Sequence, residues 1–162
     1  ALTWQQVCED HKIPSVEALG YGKGYVESLT HHRAMLGKLT QLKRERGMAC
    51  VLLAHSQVKR FEDPTTEAFD RFEIKLHRRA SDLYTEFADV VGFAQARTTT
   101  KETTSSFGTK KIKAVGSGER VLRVASRPNF VAKTRYQMPD ELPLEWSALI
   151  NAITGQQEKT DG

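Results

Sequence analysis

Three polar residues, His55, Ser56 and Gln57, directly follow the apolar run MACVLLA at residues 48–54. A continuous apolar run without alternation is typical of a strand buried on both faces of a parallel sheet. In open α/β sheets, ligands bind at the carboxyl ends of the strands. His55 is therefore a candidate to hydrogen-bond the terminal phosphate of a nucleotide. The conformation of the following loop would then depend on whether that phosphate is present. A histidine satisfied at a strand end explains the spacing equally well.

A second candidate is the cationic pair Lys133 and Arg135, two residues apart in the segment AKTR. Alternate residues of a strand lie on the same face, so both cations would point the same way. Such a pair suits a phosphate chain, in the same molecule or across a subunit boundary, where it would neutralise charge on the transferred phosphoryl group. The alternative is a solvent-facing pair on an edge strand.

The segment GYGKGYVES at residues 20–28 contains Gly22-Lys23, which looks like the end of a phosphate-binding loop. That loop requires G-x-x-x-x-G-K-[ST], with glycine at the first position and a hydroxyl after the lysine. Here Glu17 stands at the first position and Gly24 follows Lys23, so this reading fails. The histidines show no metal-ligand spacing, and we predict no metal site.

The composition, with 39% hydrophobic and 27% charged residues, predicts one globular domain over residues 1–154 and a disordered tail over 155–162. No apolar run approaches the length of a membrane span, and the first residues do not resemble a signal peptide, which indicates a cytoplasmic protein. Cys8 and Cys50 are too few for a disulfide framework, and Cys50 is expected in a buried strand. The missing initiator methionine indicates a piece of a longer protein.

Charge is concentrated between Arg97 and Arg135, where ten basic and two acidic residues give a net charge of +8 within a chain of +4. Such asymmetry accompanies polyanion binding, and a solvated basic loop is the equally weighted alternative. Within this segment the candidates for nucleic-acid contact are Lys110, Lys111 and Lys113.

Hydrophobic spacing and turn residues predict an α/β chain that ends in an antiparallel extension. The expected elements are a helix over 25–46, a strand over 48–54, a helix over about 66–86, a strand over 87–96, a Thr/Ser-rich loop over 98–110, a hairpin turning at Gly116-Ser117-Gly118, a short strand before Pro139, and a helix over 143–154.

The ordered segments GYGKGY, VLLAHSQVKRFEDP, FDRFEIKLHRRASDLYTEFADVVGFA and ERVLRVASRPNFVAKTRYQMP resemble the C-terminal half of phage-encoded RecA-like P-loop ATPases with AAA-type domains. This group includes single-strand annealing ATPases, and the resemblance covers about residues 1–153. It implies the C-terminal part of a RecA-like P-loop NTPase sheet with an antiparallel β-hairpin extension, in which GYGKGY is a loop leading into a helix. It also implies ATP and Mg²⁺, bound mainly by elements outside this chain.

The resemblance further implies a role for individual residues. His55 would be the sensor residue that follows a core strand and detects the γ-phosphate. Lys133 and Arg135 would be finger residues, which reach the nucleotide bound by the neighbouring subunit. The loop 56–68 would contact single-stranded DNA through Lys59 and Arg60. The implied partners are single-stranded DNA and further copies of the protein, in a ring or a filament.

Two classes of function remain open at this point. The first is part of a phage ATPase that acts on single-stranded DNA in recombination or replication, with this chain inactive by itself. The alternative is a non-catalytic RecA-like module that binds nucleic acid or a partner; a helicase loader or repair accessory factor of the same fold is a third reading. A phosphate-binding loop encoded upstream of these residues would favour the first.

Overall fold

The computed structural model describes residues 2–104 and 110–155. The elements are α1 Leu2–His11, a 3₁₀ helix Val16–Leu19, α2 Lys23–Arg46, β1 Ser56–Asp63, β2 Thr66–Ile74, α3 Arg78–Phe87, β3 Val90–Val91, β4 Phe93–Thr104, β5 Lys110–Arg123, β6 Lys133–Thr134, β7 Glu141–Pro143 and α4 Trp146–Thr154. The chain is thus mixed α/β with antiparallel strands. It divides into two compact units, Ala1–Val58 with Glu73–Ala88 and Lys59–Phe72 with Asp89–Gly162.

The first unit is helical, and α2 packs against α1, α3 and the 3₁₀ helix. Its apolar core includes Val7, Leu29 and Leu36. Gly24 permits the close approach of α2 to the 3₁₀ helix, because a Cβ at this position would lie 2.3 Å from the Val16 carbonyl oxygen. The first turn of α2 is therefore fixed by a glycine.

A buried polar group also ties the three helices of the first unit together. The His32 ring on α2 hydrogen-bonds the Thr3 hydroxyl of α1 at 3.2 Å and the Tyr84 hydroxyl of α3 at 2.8 Å. Burial lowers the pKa of His32 and raises the pKa of Tyr84. Both shifts favour the neutral side chains, so the histidine acts here as a structural hydrogen-bonding group.

The second unit contains most of the β1–β2 pair and two further antiparallel sheets among the described residues. β3 pairs with β6, and β5 lies between β4 and β7. Its core is formed by Val121, Val124, Ala132 and Leu142 together with Phe130. The Phe93 ring stacks on Phe130 with centroids 4.9 Å apart and lies 5.3 Å from Phe72.

The predicted helix over 25–46 and its GYGKGY entry loop are confirmed, since Gly22 caps the N-terminus of α2 with φ of 71° and Gly47 caps its C-terminus. The predicted C-terminal helix is also present, although it begins at Trp146 and Pro143 ends β7. The predicted strand over 87–96 is replaced by the end of α3, the short β3 and the start of β4. Before Pro139, only Lys133–Thr134 form a strand.

The expected buried strand over 48–54 is wrong for this chain. Residues 47–55 form neither helix nor strand, and the side chains of Val51, Leu52 and Leu53 are 61%, 49% and 95% exposed. Cys50, expected to be buried, is exposed as well. A strand of a parallel sheet needs hydrogen-bonding neighbours, and no strand among the described residues pairs with this run.

The expected helix over 66–86 is also wrong, because its first half is β2 and only its second half is α3. The spacing of Phe69, Phe72 and Leu76 satisfies a helix, but Phe69 contacts Phe61 of β1 and the Phe72 backbone pairs with residues 129 and 131. Tertiary pairing therefore overrides the local helical pattern.

The expected hairpin turn at Gly116-Ser117-Gly118 lies inside β5. Ala96 pairs with Arg120 and Thr98 with Gly116, so residues 117–119 form a bulge opposite Arg97. Gly118 has φ of 76°, which a bulge accommodates readily with glycine. Residues 98–104, expected in a loop, belong to β4. The predicted tail lies outside the described residues apart from Gly155.

Candidate functional site

Lys133 and Arg135 lie at the antiparallel pair of β3 and β6. Lys133 pairs with Val91, and the Arg135 amide donates a 3.0 Å hydrogen bond to the Asp89 carbonyl, which continues the ladder by one pair. The alternation of this ladder places residues 133 and 135 on the same face. The sequence interpretation of a paired cationic face thus agrees with the backbone of this region.

The Arg135 guanidinium is engaged within the chain. Its Nη1 lies 2.8 Å from Oδ1 of Asp89, with the arginine side chain 52% and the aspartate 34% exposed. The sequence analysis did not identify Asp89. Its one available signal is charge: Asp89 directly precedes β3, which pairs with the strand that precedes Arg135.

His55 stands at the end of the exposed apolar run and immediately before β1. Its side chain is exposed, and its carbonyl accepts a 2.7 Å hydrogen bond from the Lys75 amide in the first unit. The Gln57 amide reaches the Ile74 carbonyl at 3.4 Å. The backbone of His55 is therefore fixed at the base of the β1–β2 pair, while its imidazole faces solvent.

The expected DNA-contacting loop at 56–68 is a β-hairpin, because two strands joined by a two-residue connection pair antiparallel. Arg60 forms an ion pair with Asp70 at 3.6 Å. The Arg71 guanidinium lies 3.9 Å from the centroid of the Phe61 ring, which is a cation–π contact. Residues 56–74 carry three basic and five acidic side chains, so the hairpin has a net negative charge.

Lys110, Lys111 and Lys113 lie on β5, which pairs with β4 from Phe93↔Arg123 to Thr104↔Lys110. We call this paired region, residues 93–104 and 110–123, the β4–β5 arm. It carries seven basic and two acidic residues. In the sequence these basic residues are close only along the chain. In the structure they belong to two strands that pair with each other.

The base of the β4–β5 arm contains an ion-pair network. Glu141 of β7 contacts Arg97 and lies 2.6 Å from Arg123, which is its direct partner in the ladder. Arg97 also lies 3.1 Å from Glu119. The hydrogen bond to Glu141 and the charge of Glu119 raise the pKa of Arg97. These cations stabilise the sheet and are already neutralised by carboxylates.

No group of three histidine, cysteine, aspartate or glutamate residues among those described is arranged to hold a metal ion. None of the described helices is both long and apolar enough to cross a membrane.

A family model for the AAA domain matches residues 1–136. The chain belongs to this AAA domain family. The membership covers the first unit, the β1–β2 hairpin, the β4–β5 arm and the Lys133–Arg135 pair. No curated protein and no solved structure matches the chain. AAA domains are nucleotide-binding, ATPase-type domains, so a nucleotide-binding role follows from the family, while the site residues above rest on the chemistry of this chain.

Proposed function

We propose that this AAA domain chain is the C-terminal portion of a phage RecA-like ATPase that acts on single-stranded DNA in recombination or replication, in the cytoplasm of the host cell. The observation that carries the proposal is the exposed apolar run over 48–54, which ends at His55. Several large apolar side chains in sequence are rarely left in water unless another surface covers them. The run has the composition of a central parallel strand.

The proposed covering surface is the part of the ATPase that bears the phosphate-binding loop. The 162 residues contain no G-x-x-x-x-G-K-[ST] motif. Pairing of residues 48–54 with strands of that part would bury the apolar run and would place His55 at the carboxyl edge of the sheet, where phosphates bind. His55 would then report the state of the γ-phosphate to the β1–β2 hairpin that follows it.

The 162 residues lack the phosphate-binding loop whose hydroxyl residue binds Mg²⁺ beside the β-phosphate. We assign the metal and the β-phosphate to elements outside this chain. The role proposed for Arg135 and Lys133 is to approach the γ-phosphate held by a neighbouring subunit and to stabilise its developing charge. Asp89 would position Arg135, because the ion pair fixes one side of the guanidinium.

On the nucleic-acid side, the proposed contacts are Lys59 and Arg60 of the β1–β2 hairpin and Lys110, Lys111 and Lys113 of the β4–β5 arm. Assembly into a ring or filament would follow from a finger that serves the neighbouring subunit. Support comes from the charge of the β4–β5 arm, since phosphate contacts by lysine and arginine supply most non-specific affinity.

The test is steady-state ATP hydrolysis by the complete protein encoded by the reading frame that contains these residues, with and without single-stranded DNA. We expect hydrolysis that single-stranded DNA stimulates, and no turnover by the 162 residues alone. Arg135→Ala should abolish hydrolysis but leave nucleotide binding intact, because the lost contact belongs to the transition state. Absence of hydrolysis under both conditions contradicts the proposal.

Subunit mixing tests the direction in which Arg135 acts. A variant with a disabled phosphate-binding loop still supplies the arginine, and Arg135→Ala still supplies a nucleotide pocket, so a mixture of the two should recover part of the activity. Lys75→Ala is a control at an exposed lysine whose amide, rather than its side chain, makes the described contact with His55. Wild-type hydrolysis by Arg135→Ala alone would remove the finger role.

The second candidate function is a non-catalytic module that binds nucleic acid or a partner. The ion pair of Arg135 with Asp89 favours it, because the pair gives the arginine a structural role that needs no nucleotide. Asp89→Asn separates the two functions. A positioning role predicts slower hydrolysis by the complete protein at unchanged nucleotide affinity, whereas the module predicts reduced stability and no hydrolysis in either form.

A further inference from the structure

The short ladder of β3 and β6 fixes the backbone only as far as Arg135. Thr134 lies opposite Val90, and the Arg135 amide donates a hydrogen bond to the Asp89 carbonyl at 3.0 Å. The strand β6 itself ends at Thr134. The path of the chain immediately after Arg135 therefore depends on contacts other than this ladder.

The Thr134 hydroxyl supplies such contacts, because it forms two hydrogen bonds with the backbone of Tyr136. Its Oγ1 accepts a hydrogen bond from the Tyr136 amide at 3.0 Å and donates one to the Tyr136 carbonyl at 3.2 Å. A hydroxyl has one donor and two acceptor positions, so it can make both bonds at once. Threonine hydroxyls stabilise local turns by bonding the backbone in this way. Arg135 lies inside the turn, so its backbone is held on both sides.

Thr134 holds this turn from the face of the ladder that does not carry the cations. Lys133 and Arg135 share one face, and the residue between them lies on the other. Thr134 is half-buried, whereas the Arg135 side chain is 52% exposed. A substitution at Thr134 therefore changes the support of the Arg135 backbone without removing either cation.

Two different groups thus restrain Arg135. Asp89 restrains the guanidinium, whose Nη1 lies 2.8 Å from its Oδ1. The Thr134 hydroxyl restrains the backbone that carries the side chain. A cation stabilises developing charge efficiently only when it is held in place before the reaction. A displacement of about 1 Å at such a group costs up to about a hundredfold in rate.

We infer that Thr134 is a positioning residue for Arg135, whose direction it sets through the backbone of residues 134–136. The inference rests on the proposed finger role of Arg135 and deepens it. The Thr134 hydroxyl makes its contacts within the chain and acts on the phosphate only through the arginine. Its loss should therefore lower the rate of hydrolysis and leave the affinity for nucleotide unchanged.

The first experiment measures backbone order by ¹⁵N NMR relaxation in the 162-residue chain without nucleotide. Thr134→Val removes the hydroxyl and keeps the shape of the side chain. The order parameters of the Arg135 and Tyr136 amides should fall from about 0.85 to below about 0.6. Thr134→Ser keeps a hydroxyl and should retain the wild-type values. Unchanged order at Arg135 in Thr134→Val overturns the inference.

Thr40→Val is the matched control, because it removes a hydroxyl that donates to the Leu36 carbonyl at 2.9 Å within α2. It should leave the order of Arg135 unchanged. Thr134→Ala is a second variant without the hydroxyl and should reproduce the effect of Thr134→Val. If neither of these two variants folds, Thr134 is required for folding and the assigned role is wrong.

The second experiment measures steady-state hydrolysis and nucleotide binding by the complete protein. Thr134→Val should lower kcat about tenfold, and its Kd for ATP should stay within about twofold of the wild type. Thr134→Ser and Thr40→Val should both keep kcat within about twofold of the wild type. A wild-type kcat for Thr134→Val overturns the inference. So does a Thr134→Ser variant as slow as Thr134→Val, because the hydroxyl would then not be the cause.

The two experiments distinguish a failure of this inference from a failure of the proposed function. If the wild-type complete protein does not hydrolyse ATP, the proposed function is wrong, and the order of Arg135 in the 162-residue chain still decides whether Thr134 holds it. If Thr134→Val lowers that order but leaves kcat unchanged, Thr134 has no positioning role in the reaction.

Discussion

The two β-hairpins of this chain differ in charge although they meet the same aromatic cluster. The ring of Phe72, near the end of β2, lies 5.3 Å from that of Phe93 at the start of β4, and the Phe93 ring stacks on Phe130. Residues 56–74 of the β1–β2 hairpin carry a net charge of −2, whereas the β4–β5 arm carries +5. A shared base with opposite surface charge indicates that different residues set the packing and the surface charge of these two elements.

The cations of the two hairpins also differ in what surrounds them. In the β1–β2 hairpin, Arg60 faces Asp70 across the strands, and Arg71 covers Phe61. At the base of the β4–β5 arm, Glu119 of β5 and Glu141 of β7 contact Arg97. Residues 98–104 and 110–116 of the arm carry four basic residues and one acidic residue. Neutralised cations stabilise a strand pair, whereas grouped cations attract a polyanion.

The largest effect that tests the comparison is the loss of the shared base. Phe130→Ala should lower the free energy of unfolding by about 3–5 kcal/mol, because the buried ring is lost and a cavity remains beside Phe93. Urea unfolding followed by circular dichroism measures it. Phe61→Ala, at a half-buried ring of the β1–β2 hairpin, is the control and should cost about 1 kcal/mol. Equal losses would mean that the two hairpins do not depend on a common base.

A smaller effect should separate the two kinds of ion pair. Glu141→Gln keeps the shape of the side chain but removes the charge that Arg123 contacts at 2.6 Å in a partly buried position. We expect a loss of about 1–2 kcal/mol, as for hydrogen bonds to charged groups. Asp70→Asn is the matched control at the exposed pair with Arg60 and should change stability by less than about 0.5 kcal/mol. Thermal unfolding of both variants measures the two losses of stability. A larger loss of stability for Asp70→Asn than for Glu141→Gln would contradict the comparison.

The smallest effect concerns nucleic-acid affinity. The double variant Lys59→Gln and Arg60→Gln should weaken oligo(dT) binding less than about threefold at 0.1 M salt, which is less than one full phosphate contact. The physical reason is the five acidic residues in the same hairpin, which oppose the approach of phosphates. Fluorescence anisotropy of a labelled 30-nucleotide oligo(dT) at 0.1 M salt measures this effect. A loss of more than about tenfold would show that the β1–β2 hairpin is a main contact of the nucleic-acid backbone.

The prediction of local structure from the sequence succeeded where one element carries its own signals. α2 follows from its apolar spacing and its glycine caps, Gly22 and Gly47, because a helix satisfies its hydrogen bonds within one segment. The concentration of basic charge between Arg97 and Arg135 is likewise a property of the sequence alone. So are the K-x-R spacing of Lys133 and Arg135 and the absence of a phosphate-binding loop from the 162 residues.

Tertiary structure decided everything that depends on a distant partner. It made β2 a strand despite helical spacing, because Phe72 pairs with the chain at residues 129–131. It placed a bulge at residues 117–119 where the sequence predicted a hairpin turn, paired Arg135 with Asp89 and left MACVLLA exposed. Strand pairing, bulges and ion pairs join residues that are far apart along the chain, so their energies do not appear in any local window. The pairing of residues 98–104 with β5, which the sequence predicted as a loop, likewise became visible only in the register of β4 and β5.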